Sequence, residues 1–388
     1  MNFKYPLAGD TISKNDIDLL RKWLAKYPRL TMGELTKDFE IKWAKYIGTE
    51  KSIFVNSGSS ANMLMVYLGL VLRKLKKGDK VIVPACGWAT TIAPIIQFGL
   101  NPIMVDANKY NFGVDINEVD QICQKQSIKG MIFVHPLGVP CDKDEIISLK
   151  EKHNLFLMED CCASVGAKYA DGTKIGTVGD VSSFSFYFGH QLSTIEGGFV
   201  NTNHNEYYEK MLMLRSHGWV KDVSNDYHKK LNEKWNLDEV NGPFNFVHSG
   251  FNIRGTDLQA FLGLHQIKKA DGIMKARNRN HIRYKQKMNE EFTFQDWGKS
   301  WPVSLHIGIL ARNKIVRDKV LKVCKEKKIE TRVWSHGNLG RHPFWTKDYG
   351  LFKGEWSDEI YNRGFILPTF PELKDKDIDY ISTICNNY

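Results

Sequence analysis

Residues 131–159 read Met131-Ile132-Phe133-Val134-His135, then a stretch of helical spacing over 142–153, then Phe156-Leu157-Met158-Glu159. Two short, continuously apolar runs joined by a helix-length connection describe parallel strands buried on both faces. A sheet with one face in water would alternate apolar and polar residues instead. The pattern repeats outward. Upstream, Ile53–Asn56, Lys80–Pro84 and Pro102–Val105 are β-rich, with helical stretches near 60–73, 90–98 and 115–125 between them. Downstream, 181–188 and 199–200 add two more strands. The chain therefore reads as α/β, a mostly parallel central sheet sandwiched by helices, and ligands are expected beyond the carboxyl ends of its strands.

Composition narrows the class of protein. Of 388 residues, 42% are hydrophobic and 25% charged, which is ordinary for a globular chain. The longest apolar stretch, Met63 to Leu72, is too short to span a bilayer, and Met1-Asn2-Phe3-Lys4-Tyr5-Pro6 lacks the layout of a secretion signal. A cytoplasmic protein without a membrane partner is expected. Lysine and arginine number 54 against 44 acidic residues, a net +10, but the lysines are scattered, which reads as compositional bias and not as a nucleic-acid surface. The cysteines at 86, 123, 141, 161, 162, 324 and 385 form no CxxC pair, so reduced thiols and no metal site are expected. Gly298-Lys299-Ser300 ends like a phosphate loop, yet Thr293 stands where the first glycine is required.

Three segments are expected. Residues 1–12 form a polar N-terminal arm, 13–256 a large domain, and 257–388 a basic linker helix leading into a smaller C-terminal α/β domain. A helix capped by Ser13 or Asn15 opens the large domain and runs to about Tyr27. The Asn-, Lys- and Trp-rich stretch 221–249 reads as irregular, either a surface loop or an active-site lid or dimer arm.

Four strand-end clusters carry the chemistry. Asn56-Ser57-Gly58-Ser59-Ser60-Ala61-Asn62 opens a helix with small residues, which suits an anion at a helix N-terminus but also describes an ordinary cap. Trp88, in the turn after the next strand, stacks on a planar ring or plugs the core. Glu159-Asp160 ends an apolar strand, where a carboxylate needs a partner, a protonated ring nitrogen or an arginine. Ser185-Phe186-Tyr187-Phe188-Gly189-His190 ends another strand in a serine and, five residues later, a histidine.

In this order and spacing the clusters resemble those of the DegT/DnrJ/EryC1/StrS sugar aminotransferases, pyridoxal-phosphate enzymes of fold type I. Tyr5-Pro6-Leu7, Met32-Gly33, His135-Pro136-Leu137-Gly138-Val139-Pro140, Ser216-His217-Gly218-Trp219 and Gly250-Phe251-Asn252-Ile253-Arg254 extend the resemblance over nearly the whole chain. It implies that Gly58, Ser59 and Ser185 hold the cofactor phosphate and that Trp88 covers the ring. Asp160 would keep the ring nitrogen protonated, and Asn252 would reach the phosphate of a second subunit. A homodimer with active sites at the subunit interface follows. His217, Trp219 and Arg254 become substrate-side candidates; an ordinary loop and a surface ion pair describe them equally well. His336-Gly337-Asn338 is a further candidate for sugar contact.

His190 departs from the aminotransferase pattern, which places a lysine there to bond the cofactor covalently. Imidazole cannot do so, but it can move protons. The substitution resembles the keto-sugar 3-dehydratase branch that acts on GDP-4-keto-6-deoxymannose. It implies pyridoxamine phosphate, regenerated from pyridoxal phosphate by L-glutamate, as the working cofactor, His190 as the base, and loss of the C3 hydroxyl from a nucleotide-linked 4-keto-6-deoxy sugar. A lysine-free nucleotide-sugar aminotransferase and an inactive family member are the alternatives. No cysteine lies between Cys162 and Cys324, so the iron–sulfur version of this chemistry is not expected. Ala163 also departs, standing where relatives keep glutamine or glutamate, and Ser164 is expected to supply the missing polar contact. The Cys161-Cys162 pair reads as buried filler.

Overall fold

The computed structural model describes residues 3–237, 240, 244–334 and 337–388. Seven strands form the larger sheet: β1 (Lys51–Val55), β2 (Lys80–Pro84), β3 (Asn101–Val105), β4 (Ile128–Val134), β5 (Phe156–Asp160), β6 (Val181–Ser185) and β7 (Gly198–Thr202). Their spatial order is β1-β7-β6-β5-β4-β2-β3. Strands β3, β2, β4, β5 and β6 run parallel, while β7 pairs antiparallel with both β6 and β1. Before, between and after them come the helices α1 (Lys14–Leu24), α2 (Glu34–Ile47), α3 (Gly58–Val71), α4 (Ala89–Gln97), α5 (Ile116–Lys125), α6 (Lys143–His153), α7 (Asn205–Arg215) and α8 (Asn225–Trp235). A 31-residue helix, α9 (Asp257–Lys287), leads to a four-stranded sheet built from β8 (Phe292–Phe294), β9 (Ile307–Ala311), β10 (Arg332–Val333) and β11 (Gly364–Leu367).

The strand-by-strand reading of the alternation agrees with these elements to within two residues at most ends. Two helices depart from it. Helix α2 has no local side-chain cap; the Asp257 carboxylate accepts from the Gly33, Leu35 and Thr36 N–H groups at 2.8, 3.3 and 2.9 Å. The cap of α2 is thus supplied from the start of α9, more than two hundred residues away, and leaves no local trace. Its inner face packs Phe39 and Trp43 against Phe54, Phe184, Phe186 and Phe199, all fully buried. Helix α8 lies inside the stretch expected to be irregular; Ser224 caps it and buried Leu231 anchors it.

The N-terminal arm also differs from its expected polar character. Tyr5 and Leu7 are buried, Tyr5 pairs as a parallel bridge with Ile329, and the Leu7 N–H donates to Glu330 at 2.8 Å. Further along, the Thr11 carbonyl accepts from Gln266 and Lys269 of α9 at 3.0 and 2.9 Å. The arm therefore ties the smaller sheet to the long helix. No helix among the described residues is long and apolar enough to cross a membrane.

Candidate active site

A cavity of about 550 Å³ opens beyond the carboxyl ends of β2, β4, β5 and β6, where parallel strands leave a crevice. The larger sheet supplies its floor. Leu7 and Ala8 of the arm, with Leu305, Glu330, Arg332 and Ile366, supply the opposite wall. Gly138 fixes that wall's approach: it adopts φ +96°, and a Cβ there would lie 2.0 Å from the Val303 carbonyl oxygen.

Of the residues singled out from sequence, Gly58, Ser59, Trp88, Asp160, Ser185 and His190 all border this cavity. Gly58 and Ser59 open α3, whose N-cap Ser57 accepts from the Ser60 N–H at 3.0 Å. The first N–H groups of such a helix have no partner within it and face an anion readily. Gly58 touches Ser185 so closely that a Cβ would sit 2.6 Å from the serine Cβ and 3.0 Å from Cys162 Sγ. This cradle of small residues, N–H groups and the Ser59, Thr90 and Ser185 hydroxyls fits a phosphate. Trp88, 54% exposed at the N-cap of α4, offers an aromatic face. Buried Asp160 offers the carboxylate that a pyridinium nitrogen needs. The donor set therefore suits pyridoxal phosphate.

His190 is oriented by the backbone. Its Nδ1–H donates to the Cys162 carbonyl at 2.6 Å, leaving Nε2 as the basic atom. Burial pushes its pKa down to about 4, against the upward pull of that carbonyl and of the Asp160 charge. The imidazole is therefore neutral at pH 7, and no lysine is among the described residues lining the cavity.

Other candidates lie elsewhere. Ser164 does not supply the missing polar contact: it is fully buried, its hydroxyl donates to the His135 carbonyl at 2.5 Å, and of the two neighbours Ala163, not Ser164, reaches the cavity wall. Cys162 is not filler, since it borders the cavity and its carbonyl holds His190. His217, Trp219, Asn252 and Arg254 do not line this chain's cavity. Arg254 donates from Nε to Asn252 at 3.1 Å and from Nη2 to His217 Nε2 at 3.4 Å, and Asn252 pairs with Ser216. Trp219 lies beside them, stacked on Phe244 with ring centroids 5.7 Å apart. Of the 336–338 triplet, His336 falls outside the described residues, and Asn338 is buried and bonded to Asp358 at 2.5 Å.

Asn62 closes the first cluster and Thr91 follows Trp88, but the sequence gives neither of them a role. Both border the cavity and both donate to Asp160, at 2.8 and 2.7 Å. The available signal was a polar side chain followed by apolar residues, early in the helix that follows a strand. His135, Glu159 and Cys161 place possible ligand atoms within 4.8 Å of one another. Five donors already fill the Glu159 oxygens, however: His135, Tyr169 and the N–H groups of Gly176, Val178 and Gly179. That proximity serves hydrogen bonding.

Comparison with known proteins finds relatives that match nearly the whole chain. A GDP-4-keto-6-deoxy-D-mannose 3-dehydratase of Yersinia pseudotuberculosis is 31% identical, over 92% of this chain and 91% of that protein. The solved E. coli GDP-4-keto-6-deoxy-D-mannose 3-dehydratase with bound hydrated pyridoxal phosphate superposes with a TM-score of 0.88 at 26% identity, covering 99% of this chain and all of that one. A GDP-4-keto-6-deoxymannose 3-dehydratase structure with a trapped pyridoxal phosphate–glutamate geminal diamine gives 0.85 at 25% identity, covering 98% of this chain and all of that one. Residues 10–385 match the profile of one family over almost the full length, and the chain belongs to the DegT/DnrJ/EryC1/StrS aminotransferase family.

Proposed function

We propose that the protein is a pyridoxamine/pyridoxal phosphate-dependent dehydratase that removes the C3 hydroxyl of a nucleotide-linked 4-keto-6-deoxy sugar. L-Glutamate is the amino donor, and the product feeds 3,6-dideoxy sugar synthesis for a surface polysaccharide. Likeness to the relatives favours GDP-4-keto-6-deoxymannose as substrate. One observation carries the reading: where a lysine would have to stand for covalent attachment, His190 presents an unprotonated Nε2, and no other amine borders the cavity among the described residues.

The geometry of the cavity supports the following roles. Gly58, Ser59 and Ser185 hold the phosphate at the N-terminus of α3. Trp88 would cover one face of the ring and Asp160 would hold its nitrogen, while Leu7, Ala8, Leu305 and Ile366, which line the opposite wall, would limit water there. When bound, the cofactor would supply an amine for the sugar ketone and a ring able to accept electrons. His190 Nε2, neutral at pH 7, takes up the proton whose removal lets the C3 oxygen leave. No lysine among the described residues lining the cavity could deliver a proton to the sugar C4, so the nitrogen would be lost as ammonia and not kept on the sugar.

His217, Trp219, Asn252 and Arg254 gather on a surface outside this chain's own cavity, which suits a homodimer in which each copy completes the other's site. The large segment 13–256 would hold the cofactor, with 257–388 and the arm closing over it, in a cytoplasmic enzyme.

The test is incubation of the purified protein with pyridoxal phosphate, glutamate and a panel of nucleotide 4-keto sugars. Free ammonia, 2-oxoglutarate and a sugar lighter by one oxygen are expected. A product that keeps an amino group would overturn the reading.

A further inference from the structure

Asp160 sits in a hydrogen-bond network drawn from four separate elements. Its Oδ2 accepts from Asn62 Nδ2 of α3 at 2.8 Å and from Thr91 Oγ1 of α4 at 2.7 Å. Its Oδ1 accepts from the Cys162 N–H at 3.0 Å. Ser183 of β6 donates its one proton to Asn62 Oδ1 at 2.5 Å, leaving it only a 3.5 Å contact with Asp160. That bond fixes which end of the Asn62 amide faces Asp160. All four side chains are buried.

Neither donor is where packing alone would put it. Asn62 lies in α3 between Ala61 and the buried Leu64, Met65 and Val66, and Thr91 precedes buried Ile92 in the apolar α4. A polar group in such surroundings is costly unless its hydrogen bonds are made. Asn62 directs both ends of its amide, and Thr91 its hydroxyl proton, into this one network.

We propose that Asn62 and Thr91 are positioning residues that hold Asp160 as an anion, so that the proton of a ring nitrogen bound against it stays on the nitrogen. The inference rests on the proposed pairing of Asp160 with that nitrogen. Hydrogen bonds to a carboxylate favour its charged form. Without them the carboxylate becomes the more basic partner, the shared proton moves toward oxygen, and the ring loses capacity to accept electrons. The demand is greater in this chain because no lysine is among the described residues that border the cavity, so noncovalent contacts would have to retain the cofactor.

The experiment uses full-length protein reconstituted with pyridoxal phosphate labelled with nitrogen-15 in the ring. The nitrogen shift is followed by NMR against pH, and the dissociation constant by fluorescence. Asn62→Leu and Thr91→Val are each expected to move the ring-nitrogen signal toward the unprotonated value. Each should also weaken cofactor binding about tenfold, the order expected for one hydrogen bond to a charged group. Thr91→Ser, which keeps the hydroxyl, should restore both. Asp160→Asn separates this inference from the reading beneath it. If Asp160→Asn moves the signal and the two donor variants leave it unchanged while folded, the positioning role is refuted. If Asp160→Asn leaves it unchanged, the ring nitrogen does not face Asp160, and both fall. A purely structural role predicts lost stability with an unmoved nitrogen signal.

Discussion

Replacing Glu159 by glutamine is the most demanding single test of how the floor of the cavity is built. Glu159 is fully buried, one residue before Asp160 on β5. Its Oε1 accepts from His135 at 3.0 Å, Tyr169 at 2.7 Å and the Gly176 N–H at 2.5 Å, and its Oε2 from the Val178 and Gly179 N–H groups, both at 3.0 Å. Burial raises its pKa, but the His135 ring and the backbone N–H groups outweigh burial and hold it at about 2. A carboxyl lowered from 4.5 to about 2 stabilises the folded state by ~3 kcal/mol at pH 7. That stability is fully present above pH 4.5 and is lost as the pH falls toward 2. Glutamine has one acceptor and turns an NH2 toward donors, so at least one buried N–H loses its partner. The expected cost is ~3–5 kcal/mol, or roughly 4–6 °C of melting temperature for a chain of this length. Melting followed by circular dichroism at pH 7 and pH 4 checks it. The gap between parent and variant should narrow at pH 4, where the unfolded parent begins to take up the proton. A variant melting within a degree of the parent at pH 7, or a gap that widens with acid, would refute the account.

Two further outcomes follow from the geometry of the cavity. Because burial holds the His190 pKa at about 4, its imidazole stays neutral well below the usual histidine range. The acid limb of kcat/KM should then lie near pH 4, and a limb near 6.5 would show that this histidine is not the base. Gly58→Ala would put a methyl 2.6 Å from Ser185 Cβ. A strain of ~1–3 kcal/mol in the phosphate cradle should weaken pyridoxal phosphate binding roughly ten- to hundredfold. Fluorescence titration of the folded variant reads this, and unchanged affinity would place the phosphate elsewhere.

How much of this was legible in the sequence depended on where each determinant sits. The parallel sheet was readable because continuous apolar runs and helix-length connections are local properties. Helix α2 was not, because its cap is the Asp257 carboxylate, joined to it only by the fold. Helix α8 was hidden by an Asn- and Lys-rich composition that carries one buried anchor, Leu231. At the site, His190 stood out because its side-chain type decides which chemistry is open to it. Its orientation did not, since the atom that fixes Nδ1 is a backbone carbonyl, and any residue at 162 would supply one. Ser164 was misplaced for a related reason. The turn after β5 aims its hydroxyl at the His135 carbonyl, and hydroxyl chemistry alone says nothing of direction.

The acidic pair ending β5 shows how one strand serves both stability and chemistry. Successive strand residues point to opposite faces, so Glu159 and Asp160 are sent apart although adjacent in sequence. Glu159 enters the core toward His135 and Tyr169, while Asp160 turns to the cavity, Asn62 and Thr91. The loop that follows is held from both sides: Ser164 bonds the His135 carbonyl, the Cys162 N–H bonds Asp160, and Gln191 donates to the Ala163 carbonyl at 2.7 Å. The Cys162 carbonyl that selects the His190 tautomer therefore hangs between two carboxylate networks, one structural and one facing the ligand. A change in either should disturb the base through the backbone, without touching the imidazole. Loosening the Glu159 side would free the Cys162 carbonyl and with it the proton position on His190, so a Glu159 variant that remains folded should lose turnover more than cofactor affinity. Loosening the Asp160 side should lower cofactor affinity and turnover together, since Asp160 is the group that meets the cofactor and also holds the Cys162 N–H.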